Sequence, residues 1–240
     1  LRLTGLDERG GWAATARMDM QLADFGNLTF AGNYSSIGFG ALDQKVAERS
    51  RENVYGFDVA GNLELGKFFP EDWGLRLPFY AQYSQTVRSP EFDPYDLDVK
   101  LEDKINDSDP SKRDSIRAQA QEVQTIRSYN FTNVRKERKG GGSSKPWNIE
   151  NFSVNYGYQE IERSDPIIEL DRQERYSGGL DYNFTRKVKY IEPFKNLFEN
   201  DKYTKLISDF NFNPFPNSFS FSTVLDRRFA RTSYRFTGLE

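Results

Sequence analysis

From Gly11 to Ala23 apolar residues recur at every second position: Trp12, Ala14, Ala16, Met18, Met20 and Leu22 share one face, and Ala13, Thr15, Arg17, Asp19 and Gln21 the other. A repeat of two is the period of a pleated strand. Asp24-Phe25-Gly26-Asn27 reads as a tight turn, after which Leu28, Phe30 and Tyr34 carry an apolar face opposite Thr29, Ala31 and Asn33. The spacing predicts a hairpin. Over Ser35–Asn53 the pattern dissolves into Gly, Ser and charge, then returns with Tyr55, Phe57, Val59, Leu63 and Leu65 against Gly56, Asp58, Ala60, Asn62 and Glu64. Beyond Gly66–Gly74, a fourth strand sets Leu75, Leu77, Phe79, Ala81 and Tyr83 against Arg76, Pro78, Tyr80, Gln82 and Ser84. Pro78 has no amide proton, so it marks a bulge, a strand's start or an edge.

Ser89–Gln124 is the longest stretch without alternation, and it is rich in carboxylates from Glu91 to Asp109. Asp109 before Pro110 suits a helix N-cap with proline at the first helical position, and Ile116, Ala120 and Val123 follow at helical spacing. One short helix is expected there. Four further strands are expected near Thr125–Glu137, Phe152–Gln159, Tyr176–Phe184 and Phe219–Leu225. Lys139–Ser144 reads as a flexible linker. Thr185–Asn217 reads as a long connection that absorbs a possible strand at Lys205–Asn211.

The expected fold class is therefore all-β, with eight antiparallel up-and-down strands and one short helix in a long loop, 88–124. Connections tend to alternate in length. If Asp24–Asn27, Gly66–Gly74 and Arg138–Asn151 lie on one side, then Ser36–Asn53, Arg88–Gln124 and Ser164–Arg172 lie on the other. The segment 185–217 falls on the short-turn side by parity yet is too long for a simple turn.

Composition narrows the chemistry. Among 240 residues there is no His and no Cys, which removes Ser-His-Asp triads, cysteine nucleophiles, His or Cys zinc sites and disulfides. Lys+Arg 33 against Asp+Glu 36 leaves a net charge of -3, so no basic surplus recommends nucleic acid. Hydrophobic residues make up only 37%, yet Phe 20 and Tyr 13 bring aromatics to 15%, a balance that suits rings packed across strands. A mean hydropathy of -0.76 excludes a helical membrane protein. It does not exclude a transmembrane barrel, whose strands need only every second residue apolar. The chain opens on Leu-Arg-Leu-Thr and ends on Gly-Leu-Glu, and reads as an excerpt of something longer.

The polar faces, with Arg17, Asp19, Gln21, Asp58, Asn62, Glu64, Arg76, Gln82, Asn155 and Gln159, are candidates to line a water-filled lumen. The solvent face of an ordinary antiparallel sheet has the same patterning, so alternation leaves both readings open. Trp12, Phe68, Phe69, Trp73 and Trp147 lie near strand ends, where rings would sit at lipid headgroups; a soluble sandwich also buries rings near its rims, and ring platforms bind sugars. The carboxylates of Glu91–Asp109 lack the order of a calcium loop, and no metal site, cofactor or catalytic residue is expected. Gly140–Gly142 lacks the Gly-Lys-Ser/Thr ending of a phosphate loop. Arg135, Lys136, Arg138 and Lys139 form a local basic patch without interleaved rings, better suited to anionic lipid or plain solubility than to nucleic acid.

The run Tyr55-Gly-Phe-Asp-Val-Ala-Gly-Asn-Leu-Glu-Leu-Gly-Lys-Phe-Phe-Pro-Glu-Asp-Trp-Gly-Leu-Arg-Leu-Pro-Phe-Tyr-Ala-Gln-Tyr, with Ser89-Pro-Glu-Phe-Asp-Pro-Tyr-Asp-Leu-Asp, resembles the SprA/Sov family. Asp209-Phe-Asn-Phe-Asn-Pro-Phe-Pro-Asn-Ser-Phe-Ser-Phe-Ser-Thr, ending near Asp226-Arg227-Arg228, is similar to the same family's barrel strands. The resemblance implies that residues 1–240 are a fragment of the wall of one very large transmembrane β-barrel in the cell outer membrane. It implies a translocon of type IX secretion and gliding motility, a non-enzymatic conduit exporting folded cargo proteins with a C-terminal signal. A PorV-type shuttle, a periplasmic plug and outer-membrane lipid are its implied partners, and nucleic acid is not. The remaining alternatives are another large outer-membrane barrel transporter, a soluble β-sandwich that binds glycans and, last, a carboxylate-based glycosidase using the Asp96 and Asp98 region.

Overall fold

The computed structural model describes residues 10–41, 43–45, 48–140, 145–186, 190–193 and 209–235. In chain order the elements are β1 (Ala13–Gln21), β2 (Gly26–Ser35), β3 (Glu52–Glu64), β4 (Leu75–Arg76), β5 (Pro78–Pro90), β6 (Phe92–Asp93), β7 (Asp96–Lys100), α1 (Leu101–Asp107), α2 (Pro110–Ala120), β8 (Glu122–Lys136), β9 (Phe152–Ser164), β10 (Ile168–Thr185) and β11 (Ser218–Tyr234). The eight long strands pair antiparallel in the order β1-β2-β3-β5-β8-β9-β10-β11. Every neighbour in the sheet is therefore the neighbour in sequence, the simplest up-and-down topology. β1 and β11 are its two outer strands, and among the described residues no strand pairs with their outer edges.

Pro78 is the first residue of β5. The ladder steps at Leu77, so that β4 pairs directly with β8, Leu75 opposite Lys136 and Arg76 opposite Arg135. The turn between β1 and β2 is tighter than the pattern suggests: Ala23–Phe25 form a single 3-10 turn and Gly26 already belongs to β2. Gly26 sits at φ 141, and a Cβ there would lie 1.9 Å from the Asn62 carbonyl oxygen, so glycine is required.

Four expectations need correction. The long excursion holds two helices, not one, together with the small β6–β7 hairpin. α1 went unpredicted because only Leu101 and Ile105 are apolar in an acidic run, yet both are buried against Ala120 and Ile116 of α2. α2 does begin at Pro110 with Asp109 at its N-cap, but Val123 belongs to β8. The expected outer loop Ser164–Arg172 is a tight turn, because Asp165 Oδ1 accepts the amides of Ile167 and Ile168 at 2.8 and 2.7 Å and turns the chain within three residues. The loop 88–124 shrinks to 91–121 as β5 and β8 run further than alternation indicates.

Of the 185–217 connection, Ile191 bridges to Phe212 and Arg186 donates its amide to the Asn217 carbonyl at 3.1 Å. Most of Lys205–Asn211, and Gly141–Ser144 of the linker, lie outside the described residues.

Among the described residues the buried apolar side chains are Leu101, Ile105 and Ala120, all in the helical excursion. Among the described residues no second layer covers the ring-bearing face of the eight-stranded sheet: Met18, Phe57, Val154, Tyr156, Phe221 and Leu225 are exposed. Among the same residues no helix is long and apolar enough to cross a membrane.

Candidate functional site

The register gathers the predicted polar residues onto one face. Asp19, Thr29, Ala60, Gln82, Ser128, Gln159, Arg175 and Arg228 stand opposite one another, strand after strand, in an unbroken row across the sheet. Arg17 and Asp58 occupy the next row toward one end, and Gln21 and Asn62 the next toward the other. Glu64, Arg76 and Asn155 share the same face.

Their charges are paired on the spot. Arg17 donates to Asp19 at 2.9 Å, and Thr29 adds a bond to the same carboxylate at 2.7 Å. Gln82 donates to Asp58 at 2.7 Å and accepts from Tyr80 at 2.9 Å. Asn155 and Ser222 both donate to Asp181, at 2.8 and 2.6 Å. Arg175 holds Asp226 at 2.6 Å, and Arg76 faces Glu137 at 3.2 Å. Glu64 acts differently: its carboxylate accepts the Leu77 amide at 2.6 Å and fixes the turn into β5. The surface is wettable and carries both signs, with its charges engaged by their neighbours.

Two glycines on this face stand close to polar side chains: a Cβ on Gly56 would lie 2.2 Å from Asn33 Oδ1, and one on Gly157 2.6 Å from Ser177 Oγ. Shallow hollows open along the face; one of about 480 Å³ lies between Asn62, Tyr80, Asn130, Asn155 and Ser177. Others lie near Arg17 and Asp58, near Gln21 and Glu64, and near Gln159 and Arg175.

The opposite face carries the rings. One chain of contacts runs Trp12–Tyr34–Tyr55, with centroids 4.5 and 4.9 Å apart, steps to Phe57–Tyr83 at 5.6 Å, and continues Tyr129–Tyr158–Tyr176–Phe229 at 6.2, 4.9 and 6.0 Å. A second set lies toward the turns at 22–25, 65–77 and 137–151: Phe25–Phe68, Phe69–Trp73, Phe79–Phe131 and Phe152–Tyr182–Phe219. Met20, Leu28, Val154, Tyr156, Leu180 and Phe221 fill the space between. The two sets diverge across the sheet: on β8 only two residues, about 7 Å, separate Tyr129 from Phe131, whereas on β9 and β10 Tyr158 to Phe152, and Tyr176 to Tyr182, span about 20 Å of strand.

Of the predicted interface rings, Trp12 belongs to the first set and Phe68, Phe69 and Trp73 to the second. Trp147 lies at the same end as the second set, 75% exposed, with the Lys145 ammonium 5.7 Å from its centroid. The tyrosine row itself escaped sequence reasoning because its members lie within strands, not at their ends.

Above the first set, the ring-bearing face turns abruptly ionic. Arg127 pairs with Glu160 and, at 3.0 Å, with Glu162; Arg172 reaches Glu160 at 2.8 Å and Glu174 at 2.9 Å. Tyr158 donates its hydroxyl to Glu160 and Tyr176 to Glu174. Glu160 is buried beneath these partners. Its carboxylate accepts from Tyr158 and Arg172 and lies beside both guanidinium groups, which offset the cost of burying its charge. Among the described residues no group of three or more acidic side chains is arranged to hold a metal ion.

A family model described as motility related/secretion protein, SprA_N, matches residues 1–105. Over that span, somewhat under half of its 240 residues, the chain is similar to the SprA family, whose description is motility- and secretion-related. No curated protein matches it. The match takes in β1 to β5, the β6–β7 hairpin and the start of α1. β8 to β11 continue the same sheet in the same alternating register, so the two faces defined over the matched strands persist to Tyr234.

Proposed function

We propose that this chain forms part of the wall of a large outer-membrane β-barrel that conducts secreted proteins, with its polar face lining the passage and its ring-bearing face in lipid. The carrying observation is the bare, exposed apolar face bounded by two sets of rings, backed by a polar face whose charges are paired. A soluble sandwich hides its apolar face against a second sheet. A membrane wall offers that face to hydrocarbon and places aromatic girdles at both interfaces. The small polar side chains and hollows suit the inside of a curve, where side chains crowd, and the large rings suit the outside.

In this reading each strand crosses the bilayer and its ladder satisfies the backbone polar groups in lipid. β1 and β11 pair onward with further strands of a wider wall. Arg17, Asp19, Asp58, Gln82 and Gln159 present cargo with a wet surface of balanced charge that solvates without gripping. Secreted cargo, a PorV-type shuttle and a periplasmic plug are the proposed partners, and the wall performs no catalysis.

The chain contains no cysteine. Single cysteines placed along β10 of the complete protein, in membranes, test the reading by accessibility to a water-soluble maleimide. Positions 177, 179, 181 and 183 are expected to label and 176, 180 and 182 to resist. Labelling without alternation would overturn it.

A further inference from the structure

The ionic belt above the tyrosine row is not charge-balanced along its length. Glu160, Glu162 and Glu174 are engaged by Arg127 and Arg172. Two more cations stand on the same face of β11: Arg227 opposite Tyr176, and Arg231 opposite Arg172. Both are exposed, and among the described residues neither makes an ion pair. Phe229 lies between them, its ring edge-on to Tyr176 at 6.0 Å, with the Arg227 guanidinium 4.3 Å from its centroid. Along the same face of the strand from Arg227 come Leu225, Thr223, Phe221 and Phe219, of which Leu225, Phe221 and Phe219 are exposed and apolar.

Resting on the membrane-wall reading above, we infer that Arg227 and Arg231 form a docking site for the phosphate groups of an anionic membrane lipid, whose acyl chains lie on Leu225 and Phe221. Charge complementarity supports the assignment. Cations that end an apolar stripe meet water and headgroups together, and guanidinium groups bind phosphate through paired donors. The two arginines are four residues apart on one strand face, about 13 Å, which lets each take a separate phosphate. Phe229 holds Arg227 up against the ring row, so its charge is presented at headgroup depth without tying it to a carboxylate.

The test uses the complete protein in phosphatidylcholine nanodiscs, with and without bisphosphorylated lipid A, and reads thermal stabilisation against lipid A content. The double variant Arg227→Gln, Arg231→Gln is expected to weaken apparent lipid A affinity roughly thirtyfold, from the usual contribution of a surface arginine at an anionic bilayer. Arg228→Gln, on the polar face of the same strand, should leave it unchanged. Equal lipid A response in the double variant and the wild type would overturn the site, as would stabilisation reproduced by inorganic phosphate without lipid A. Carbonate extraction separates the two readings. Release of the wild-type protein from its native membrane would sink the membrane wall and the lipid site together, whereas retention with an unchanged lipid response would sink the lipid site alone.

Discussion

Arg172 on β10 reaches diagonally to Glu160 on β9, Nη2 to Oε2 at 2.8 Å, immediately above the packed rings of Tyr158 and Tyr176. The pair marks where one face of the sheet passes from apolar to ionic. Glu160 has a side chain only 5% exposed, while Arg127 and Arg172 remain 34% and 40% exposed. Glu160→Ala removes the buried one of the two carboxylates that Arg127 and Arg172 share, leaving them Glu162 at 3.0 and 3.7 Å. Discounted for the solvent that still reaches both cations, the cost is about 1–3 kcal/mol. The complete protein in detergent should melt at lower temperature, and an unchanged melt would contradict the network's role.

Gly26→Ala should block folding. The substituted Cβ would meet the Asn62 carbonyl at 1.9 Å, at a φ that L side chains rarely adopt, and backbone cannot retreat as a flexible side chain can. Gly178→Ala, with nothing within 4 Å, should be tolerated. Comparing the amounts of heat-modifiable protein in the membrane fraction tests both, and equal losses would show that the space around each glycine is not what matters.

The legibility of the sequence followed the water. Where one face is apolar and the other wet, as from Phe152 to Gln159 and from Tyr176 to Phe184, alternation located the strands and their faces. Beyond Tyr158 and Tyr176 both faces are polar, so Glu160, Glu162, Arg172 and Glu174 broke the pattern although β9 and β10 continue through them. That is why a loop was expected at Ser164–Arg172 and the ionic network was missed. Arg127 failed the same test on β8. α1 was hidden for another reason: two apolar residues, Leu101 and Ile105, suffice when the surface they cover is a single short helix.

Adjacent residues of β11 separate the two faces. Leu225 stands opposite Gly178 on the ring-bearing side, and Val224 opposite Gly179 on the polar side, both between the rows of Tyr176 and Tyr182. An arginine in lipid near the bilayer midplane costs about 2–4 kcal/mol, and one in a wet lumen little. Leu225→Arg should therefore sharply lower the folded yield of the complete protein, while Val224→Arg should leave it near wild type. Similar yields for the two variants would mean that both faces meet water.

The helical excursion, by contrast, should open without the sheet. Asp93, 1% exposed, accepts from Lys104 and takes the Tyr95 amide at 3.1 Å, joining the β6–β7 hairpin to α1. Its ties to the sheet are few: Tyr95 Oη donates to the Pro166 carbonyl at 2.6 Å, Arg235 to the Ala118 carbonyl at 2.6 Å, and Gln121 to Ser89 at 3.2 Å. Asp93→Ala strands a half-buried ammonium and a backbone amide, a loss of about 1–3 kcal/mol that a small cluster around Leu101, Ile105 and Ala120 cannot absorb. Local opening costs less than unfolding eight paired strands, so the damage stays local. Limited proteolysis of the Asp93→Ala protein should cut faster between 94 and 120 while heat-modifiable migration of the sheet persists. Cleavage at the wild-type rate would show that Asp93 does not hold the excursion together, and simultaneous loss of the heat-modifiable form would show that the excursion and the sheet fold as one unit.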